Sequence, residues 1–398
     1  MSEISAQALA MLRSATTPKG ILASIKEEAN YRRVWSRDSI ICGLAGLMAE
    51  DHLVIEGLRQ SIVSLGNHQG PQGQLPSNVH FDEEGGLAGQ SFGGLCGRVD
   101  TISWWIIGLC QLSHFTQDAK MAQDWRPQVE KGLALLAAWE FNGKGLVYVP
   151  QSGNWADEYI LRGYTLFDQL LRMWALRCAA RVYGQEVWGE KADHIQQLIK
   201  ENYWISDDLP KTTRYHQHAF ELTLREEGPS DYWSAAFSPG GYIRQFDLLA
   251  NALALLLGIG SEQQNSSLIN YTESLRAERP FGLMPSFWPL IQPGERYWEQ
   301  LRANYKYHFR NKPFEFQNGG IWPVFNGFWG LALMEAGRVD LAEELLQGLI
   351  AASALEDWSF YECIHGQSGA VHGTPYCTWS AAGMLLLMMA LKDRHLLF

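Results

Sequence analysis

The sequence predicts a nearly all-α protein in which helical hairpins form a ring around a common core. Two observations support this prediction. Apolar residues recur at helical spacing through most of the 398 residues, whereas the period-two alternation of strands is rare. Long loops rich in glycine, proline and tryptophan separate the helices into pairs, and no Pro/Ser linker or run of charge interrupts this alternation.

Each predicted helix is a segment in which apolar residues recur every three to four positions. In the first half of the chain these segments lie near 5–14, 38–50, 52–67, 100–116, 126–141, 164–184 and 188–203. The loops between the pairs are "GNHQGPQGQLPSNVHFDEEGGLAGQSFGGLCGR" at 66–98 and "YVPQSGNWADE" at 148–158. Loops of this length without secondary structure are usually functional.

In the second half of the chain the predicted helices lie near 244–259, 262–277, 325–337, 339–352 and 377–393. The loops here are "SDYWSAAFSPGGY", "MPSFWPLIQPGERYWEQ", "FEFQNGGIWP" and "WSFYECIHGQSGAVHGTPY". A ring of about six hairpins would bury one face of each helix and gather the loops at one end as a cup. We expect one domain over residues 1–398, and a two-domain split near residue 210 is the alternative.

Composition and charge exclude several classes of partner. The chain is 46% hydrophobic and 19% charged, which excludes disorder, and apolar runs such as "GMLLLMMAL" are too short to span a bilayer. A net charge of -11 argues against nucleic acid and against an anionic membrane. The stretch "MSEISAQALAMLRSATTPKG" has no basic start followed by an apolar core, so we expect a cytoplasmic protein.

The cysteines and histidines do not indicate a cofactor. The six cysteines are scattered and form no C-x-x-C pair, so neither a zinc site nor a disulfide framework is expected. They are Cys42, Cys96, Cys110, Cys178, Cys363 and Cys377. His216 and His218 have no neighbouring cluster of carboxylates that would complete a metal shell. We therefore expect no metal and no other cofactor.

The aromatic residues point to a class of ligand. The chain has 16 Trp, 15 Tyr and 17 Phe, and the tryptophans recur beside polar residues in glycine-rich stretches. Sugar-binding clefts place aromatic faces against the C–H faces of pyranose rings and polar side chains on the hydroxyls. A small saccharide is therefore the expected partner. The alternative for any single tryptophan is that it is an ordinary core residue.

Two loop carboxyl groups are candidates for catalysis. Hydrolysis of a glycosidic bond needs one protonated carboxyl that donates to the leaving oxygen and one ionised carboxyl that activates water or attacks the sugar. Asp157 follows Trp155, whose ring would exclude water and raise the pKa of the acid. Glu362 is the natural second acid, and Glu158 would be a neighbour that either supports the site or contacts the sugar. The alternative for either stretch is a loop carboxylate held in a salt bridge.

An adjacent arginine and aspartate stand in the stretch "YRRVWSRDSI". Arg37 and Asp38 would grip neighbouring sugar hydroxyls, the guanidinium donating and the carboxylate accepting. The alternative is a helix N-terminus at which the dipole favours Asp38 and Arg37 is solvated.

Several separated segments carry a family resemblance. They are "VWSRDS", "GRVDTISWWIIGL", "NWADE", "GGYIRQFDLLANALALL", "FQNGGIWPVFNG" and "YCTWSAAGMLL", spread between about residues 31 and 390. In this order they resemble segments of the neutral/alkaline invertases, glycoside hydrolase family 100. They are similar more loosely to the glucoamylase-like and trehalase-like glycosidases. The resemblance implies an (α/α)6 barrel, an inverting mechanism and no metal.

Carried over residue by residue, the resemblance makes Asp157 the general acid and Glu362 the general base. It also implies that Arg37 and Asp38 grip the sugar, and that the segments of Asp100, Trp104 and Trp105 and of Asn318, Gly319 and Trp322 line the innermost subsite. The full set of predicted sugar contacts is Trp35, Arg37, Asp38, Gln74, Asp100, Trp104, Trp105, Trp155, Glu158, Asp247, Gln317, Asn318, Gly319, Trp322, Tyr361 and Trp379.

The chain departs from the invertases in two places. After the acid the invertases carry a basic, His-rich stretch, whereas this chain has "EYILRGYTLFDQLL", so we expect a different second sugar site. Tyr361 precedes Glu362, whereas the tyrosines of the family follow the glutamate. We expect an inverting exo-glycosidase of a small saccharide, either a sucrose-type β-fructofuranoside or a short α-glucoside. Inversion places the carboxyl groups of Asp157 and Glu362 about 6.5–9.5 Å apart.

Two other functions fit parts of the same pattern. A cytoplasmic sugar epimerase or isomerase with a similar barrel would use two histidines for proton transfer, with His308 and His365 as candidates. His365 and His372 flank the Glu362 loop, where they would orient the sugar or the base. A catalytically inert sugar-binding barrel would keep the aromatic cup.

Overall fold

A computed structural model of the chain describes residues 3–207 and 214–398. The boundary considered near residue 210 lies outside the described residues. The helices, in chain order, are α1 Glu3–Ser14, α2 Ser36–Met48, α3 His52–Gly66, α4 Asp100–Thr116, α5 Ala119–Asp124, α6 Arg126–Ala138, α7 Leu166–Tyr183, α8 Glu186–Asn202, α9 Gln217–Glu227, α10 Leu248–Leu256, α11 Glu262–Arg276, α12 Trp298–Ala303, α13 Pro323–Glu335, α14 Val339–Ser353, α15 Leu355–Trp358 and α16 Thr378–Ala390. None of these helices is long and apolar enough to cross a membrane.

Short antiparallel strands lie within the connections between the helices. They are β1 Thr16–Thr17, β2 Gly20–Ile21, β3 Val34–Trp35, β4 Asn78–Phe81, β5 Leu87–Ser91, β6 Tyr164–Thr165, β7 Ser234–Ser238, β8 Gly241–Asp247, β9 Phe287–Trp288, β10 Cys363–Ile364 and β11 Val371–His372. They pair as β1-β2, β3-β4-β5, β6-β7-β8-β9 and β10-β11. These sheets stiffen the loops above the ring of helices.

The inner ring consists of α2, α4, α7, α10, α13 and α16, each of which contacts the next, and α16 contacts α2. Every residue of α10 and of α16 is buried, and α4 is buried from Asp100 to Ser113. A helix that is apolar on all sides is stable only inside a core. The sequences "LLANALALL" and "TWSAAGMLLLMMA" have this character, which places α10 and α16 in the inner ring.

An outer layer of amphipathic helices covers this ring. α3 packs on α2, α8 on α7, α14 on α13, and α1 on α16. α8 buries Ala192, Ile195 and Leu198 on one face, at the spacing expected for a helix with one side in solvent. Gly184 ends α7 with a φ of +63°, a left-handed conformation in which glycine is free of the usual steric cost. The predicted ring of paired helices is confirmed.

The predicted helix at 244–259 is wrong at its start. Residues Gly241–Asp247 form β8, which pairs with β7, and α10 begins only at Leu248. The carboxylate of Asp247 accepts a hydrogen bond from the N–H of Ala250 at 3.1 Å, so it caps the helix where the strand ends. The spacing also missed α9 and the short helices α5, α12 and α15, the last three of which have at most 6 residues. Segments this short show no apolar repeat.

Candidate active site

The inner helices bring their first turns together at one end of the ring, and these turns carry charged residues. Arg37 and Asp38 lie in the first turn of α2, Asp100 opens α4, Asp168 lies in the first turn of α7, and Asp247 caps α10. A helix N-terminus stabilises a carboxylate because its free N–H groups and its dipole are positive. This end of the ring is therefore polar inside an otherwise apolar core.

Loops above these turns enclose a cavity of about 210 Å³, called here the carboxyl cavity. Asp157 and Glu362 both line it. The predicted sugar contacts that also line it are Trp35, Arg37, Asp38, Trp155, Gln317, Trp322 and Trp379. The structure adds residues that the sequence patterns had not indicated as site residues, among them Tyr31, Lys306, Tyr307 and Arg310.

Asp157 lies on the loop between α6 and α7, with its side chain 13% exposed. Its Oδ2 accepts a hydrogen bond from Nη2 of Arg98 at 2.6 Å and another from Nζ of Lys306. Burial acts to raise the pKa of Asp157, but the charges of Lys306, Arg98 and Arg37 outweigh it and lower the pKa below its ordinary value. The expectation that Trp155 raises this pKa is therefore wrong for this structure.

Glu362 lies immediately before β10 and is 3% exposed. Its Oε1 accepts a hydrogen bond from the hydroxyl of Tyr31 at 2.5 Å. Burial raises the pKa of Glu362, although the charge of Arg310 and the hydroxyl of Tyr31 act in the opposite direction. The two carboxyl groups therefore differ: relative to a free side chain, Asp157 holds a proton less tightly and Glu362 holds one more tightly.

The backbone just before Glu362 is strained. Residues 356–358 have φ values between 46° and 60°, and Phe360 has 41°. Side chains other than glycine rarely adopt this left-handed region, and strain of this kind is concentrated at functional sites. A hydrogen bond from the N–H of Cys377 to the carbonyl of Phe360 at 3.0 Å ties the segment to the start of α16. This hydrogen bond holds the strained segment that leads to Glu362 in place.

Arg37 pairs with Asp100 rather than with its neighbour Asp38. Its Nη1 lies 2.7 Å from Oδ2 of Asp100, and the two side chains are 11% and 0% exposed. The guanidinium lies 5.4 Å from the ring centroid of Trp379, within range of a cation–π interaction. Burial raises the pKa of Asp38 to about 6, against the lowering effect of Arg37. Arg37 and Asp38 therefore do not act as the predicted pair. Arg37 forms an ion pair with Asp100, and Asp38 lines the cavity separately.

Aromatic rings form a wall of the carboxyl cavity. Trp155 stacks on Phe287 with ring centroids 5.1 Å apart, and Trp322 meets Trp379 edge-on at 5.7 Å. Among the described residues, Nε1 of Trp155 and of Trp379 has no hydrogen-bond partner. Nε1 of Trp322, by contrast, donates to the carbonyl of Phe316 at 2.9 Å, which fixes the orientation of this ring in the wall.

A family model described as alkaline and neutral invertase matches residues 5–394. The chain belongs to this family. It is 23% identical to the chloroplastic alkaline/neutral invertase E of Arabidopsis thaliana, over 92% of this chain and 66% of that protein. It is 25% identical to cytosolic invertase 1 of Oryza sativa subsp. japonica, over 94% of this chain and 75% of that protein. Membership of the invertase family places the chain among the glycoside hydrolases.

Solved structures of other glycosidases share the fold of this invertase-family chain. A GH63 mannosylglycerate hydrolase from Thermus thermophilus superposes with a TM-score of 0.68 at 14% identity, covering 97% of this chain and 100% of that one. A bacterial glucoamylase complexed with acarbose gives 0.68 at 17% identity, covering 99% of this chain and 56% of that one. The predicted (α/α)6 barrel is confirmed.

Two tryptophans that the invertase resemblance named as sugar contacts belong to the core. Trp104 is 0% exposed and meets Trp174 and Phe328 edge-on, with ring centroids 6.0 and 6.1 Å away. Trp105 is also 0% exposed and donates to the carbonyl of Ile62 at 3.0 Å. α4 is enclosed on all sides, so its indoles fill the ring rather than line the carboxyl cavity.

Three further residues named by the resemblance hold loops or helices in place. The side chain of Asn318 is buried and exchanges hydrogen bonds of 2.8 and 2.9 Å with the backbone of Ile291. Gly319 next to it has a φ of +92°, and a Cβ there would meet the side chain of Leu290 at 2.1 Å. Burial raises the pKa of Asp247, the cap of α10, to about 7. None of these three lines the carboxyl cavity.

Gln74, Tyr361 and Glu158 are also absent from the lining of the carboxyl cavity. The amide of Gln74 donates to the side chain of Gln72 at 3.1 Å. The hydroxyl of Tyr361 donates to Glu356 at 2.6 Å. Glu158 is 1% exposed and pairs with Arg310 at 2.9 Å. Each of these three predicted sugar contacts is thus bonded to another side chain of the protein, although Oε2 of Glu158 has no hydrogen-bond partner among the described residues.

The structure does not bring the predicted histidine pair into one cavity. His308 lines the carboxyl cavity, but His365 does not, and its Nδ1 accepts from the N–H of Gln367 at 3.2 Å. His216 caps α9 by accepting from the N–H of Ala219. Burial lowers the pKa of His372, which lies in β11. Within 3–207 and 214–398, no group of His, Cys, Asp and Glu could hold a metal ion.

Proposed function

We propose that this member of the invertase family is an inverting, exo-acting glycoside hydrolase of small soluble saccharides. The observation that supports the proposal is that Asp157 and Glu362, delivered by different loops, line one cavity together with Arg37, Asp38 and a wall of indoles. The first turns of α2 and α16 contribute Arg37, Asp38 and Trp379 to the lining of this cavity of about 210 Å³. Its small volume favours the end of a saccharide over the interior of a polymer.

The substrate in this proposal is a sucrose-type β-fructofuranoside or a short α-glucoside. The names of the relatives support the first, since they are invertases. The changed stretch after Asp157 supports the second. A cytoplasmic location is part of the proposal, and it is supported by one relative named as cytosolic, whereas others are chloroplastic or mitochondrial.

In the proposed reaction, Asp157 gives its proton to the glycosidic oxygen while Glu362 takes a proton from a water molecule. The oxygen of that water forms a bond to the anomeric carbon as the bond to the leaving group breaks. Because the water attacks from the opposite face, the sugar is released with inverted configuration. Arg37 and Asp38 hold hydroxyls of the sugar, and the rings of Trp155 and Trp379 pack against its C–H faces.

The charged residues around Asp157 and Glu362 affect which of the two carboxyl groups can act as the general acid. Asp157 must gain a proton before it can donate one, and the ammonium of Lys306 opposes this. Glu362 must lose its proton before it can act as the base, and Arg310 favours that loss. The opposite assignment, with Glu362 as the acid and Asp157 as the base, agrees with the pKa directions of this structure. It is the second candidate.

Glycosyl fluorides separate the two assignments, because fluoride leaves with little need for protonation. We expect Asp157→Asn to lose roughly 10²- to 10⁴-fold in kcat/KM on a disaccharide and much less on the fluoride of the same sugar. We expect Glu362→Gln to lose activity on both. The reverse pattern exchanges the two roles, and full activity of both variants contradicts the proposed site.

The substrate is identified by a reducing-sugar screen over sucrose, trehalose, kojibiose, isomaltose and maltose. NMR then reads which anomer of the released sugar forms first, and the anomer of inverted configuration is expected. Retention of configuration contradicts the inverting mechanism. Isomerisation of free mannose or N-acetylhexosamines without hydrolysis of any saccharide contradicts the proposal as a whole.

A further inference from the structure

A second cavity, called here the side cavity, opens beside Asp157. It has a volume of about 380 Å³ and shares Asn30, Trp35, Asp157, Lys306 and Tyr307 with the carboxyl cavity. Glu362 lines the carboxyl cavity but not the side cavity. In a hydrolysis with Asp157 as the acid, the leaving group must lie against Asp157. The side cavity is therefore the place for the leaving group.

The lining of the side cavity has an excess of positive charge. Its charged side chains are Arg98 and Lys306, which are cationic, and Asp157, which is anionic. The other lining residues are neutral, and many of them are amides, hydroxyls and glycines, such as Asn78, Ser91 and Gly93. With Asp157 ionised, the lining carries a net charge of +1. When Asp157 takes up the proton that catalysis requires, this charge becomes +2.

Among the residues that the structure describes, Asp157 is the carboxylate with which both Arg98 and Lys306 form an ion pair, and neither cation pairs with a second one. Arg98 is 4% exposed, cannot lose its proton, and is fixed by its bonds to Asp157 and to the carbonyl of Ser152. Lys306 is 33% exposed and its ammonium contacts Asp157. Arg37, the other cation near Asp157, is already paired with Asp100. Protonating Asp157 would therefore leave Arg98 and Lys306 without a counter-charge unless the substrate supplies one.

We propose that the leaving group of the natural substrate carries a carboxylate, or another single anion, that pairs with Lys306. This inference rests on the proposed hydrolase function and names the class of its substrate: a glycoside of a small polyhydroxy acid. The anion draws the ammonium of Lys306 away from Asp157, so the acid can take a proton from solvent. Asp157 then gives that proton to the glycosidic oxygen, water supplies the new hydroxyl of the sugar, and Glu362 takes the proton from the water.

A matched pair of substrates tests the inference. Maltobionate and maltitol have the same α-glucosyl group, and their leaving groups, gluconate and glucitol, differ by one carboxylate. We expect kcat/KM for maltobionate to exceed that for maltitol by about tenfold or more, the contribution of one charge-assisted hydrogen bond. Sodium chloride screens exposed charges, so the preference should fall as its concentration rises.

Variants assign the preference to Lys306. In Lys306→Met, the kcat/KM values for maltobionate and maltitol should differ by less than about threefold, because the ammonium that donates the charge-assisted hydrogen bond is absent. Lys120→Met is the matched control, since Lys120 also pairs with an aspartate, Asp124, but is 83% exposed on the surface. The control should keep the preference of the parent. Equal rates on both substrates in the parent overturn the inference.

Calorimetric binding of gluconate and glucitol separates this inference from the proposed function. If neutral saccharides are hydrolysed and the parent shows no charge preference, the hydrolase stands and the anion site is overturned. If no glycoside is hydrolysed but gluconate binds in a way that depends on Lys306, the anion site stands and the hydrolase is overturned. If neither hydrolysis nor gluconate binding is found, both are overturned.

Discussion

Tyr31→Phe tests the environment of Glu362 most directly. The substitution removes the hydroxyl that lies 2.5 Å from Oε1 of Glu362 and keeps the ring. A hydrogen bond to a charged group contributes about 1.5–3 kcal/mol, and one unit of pKa corresponds to about 1.4 kcal/mol. Losing this donor destabilises the ionised form of Glu362. The pKa of Glu362, already raised by burial, should therefore rise by about one to two further units.

The assay is the pH dependence of kcat/KM on the saccharide that the screen identifies. With Glu362 as the base, it must be ionised in the free enzyme, so the acid limb moves up by about one to two pH units. With Glu362 as the acid, the alkaline limb moves up instead. Tyr183→Phe is the matched control, because its hydroxyl donates to the carbonyl of Ala122 at 2.7 Å, away from the site. A Tyr31→Phe profile that superimposes on that of the parent refutes the reasoning.

Three further substitutions test the surroundings of the site. Asp100→Asn leaves the buried guanidinium of Arg37 without its carboxylate, so the free energy of unfolding in urea should fall by about 3 kcal/mol, and a loss below about 1 kcal/mol contradicts this. Burial raises the pKa of Asp168 to about 8. The folded chain therefore keeps a proton that the unfolded chain releases near pH 4, and stability falls between about pH 4 and 8. Asp168→Asn should reduce this dependence of stability on pH. The check is the free energy of unfolding from urea series at several pH values, and an equal dependence in parent and variant would contradict the expectation. Tyr361→Phe removes a bond to Glu356, so kcat/KM should change less than about twofold, and a tenfold loss would restore Tyr361 as a sugar contact.

The fold is predictable from the sequence where a helix is long. The predicted bounds 100–116 coincide with α4, because its buried run from Asp100 to Ser113 is longer than any strand of this protein. The pair β7 and β8 is not predictable in this way, because 234–237 are all buried and show no alternation. A short buried strand and the start of a buried helix have the same apolar pattern, and only the pairing partner distinguishes them.

The neighbouring aromatic residues single out Asp157 and Glu362 as candidates, and the structure places both at one cavity, but the sequence does not predict their partners. Tyr31 is 331 residues from Glu362, and Lys306 is 149 residues from Asp157. Closure of the ring brings these loops together, and spacing along the chain carries no information about which loops meet. The pKa of Asp157 shows the consequence. Its sequence neighbour Trp155 suggested a raised pKa, whereas the distant cations Lys306, Arg98 and Arg37 lower it.

The adjacent acids Asp157 and Glu158 have different partners. Through these partners the loop that carries Asp157 also influences Glu362, the other carboxyl group of the cavity. Asp157 lines the cavity, whereas Glu158 is buried against Arg310, which stacks on Phe316 with its guanidinium carbon 3.7 Å from the ring centroid. Arg310 also lines the cavity, and its charge lowers the pKa of Glu362. The loop that delivers the proposed acid therefore holds the cation that acts on the proposed base.

Glu158→Gln tests this connection. It should shift the pKa of Glu362 in the direction opposite to the shift caused by Tyr31→Phe. The substitution removes a carboxylate that shares Arg310 with Glu362, so more of the positive charge acts on Glu362. The pKa of Glu362 should fall by up to about one unit, which moves its limb of the kcat/KM profile to lower pH. An upward shift would mean that Arg310 leaves the cavity once Glu158 no longer holds it. Glu158 would then be a positioning residue for the cation rather than a competitor for its charge.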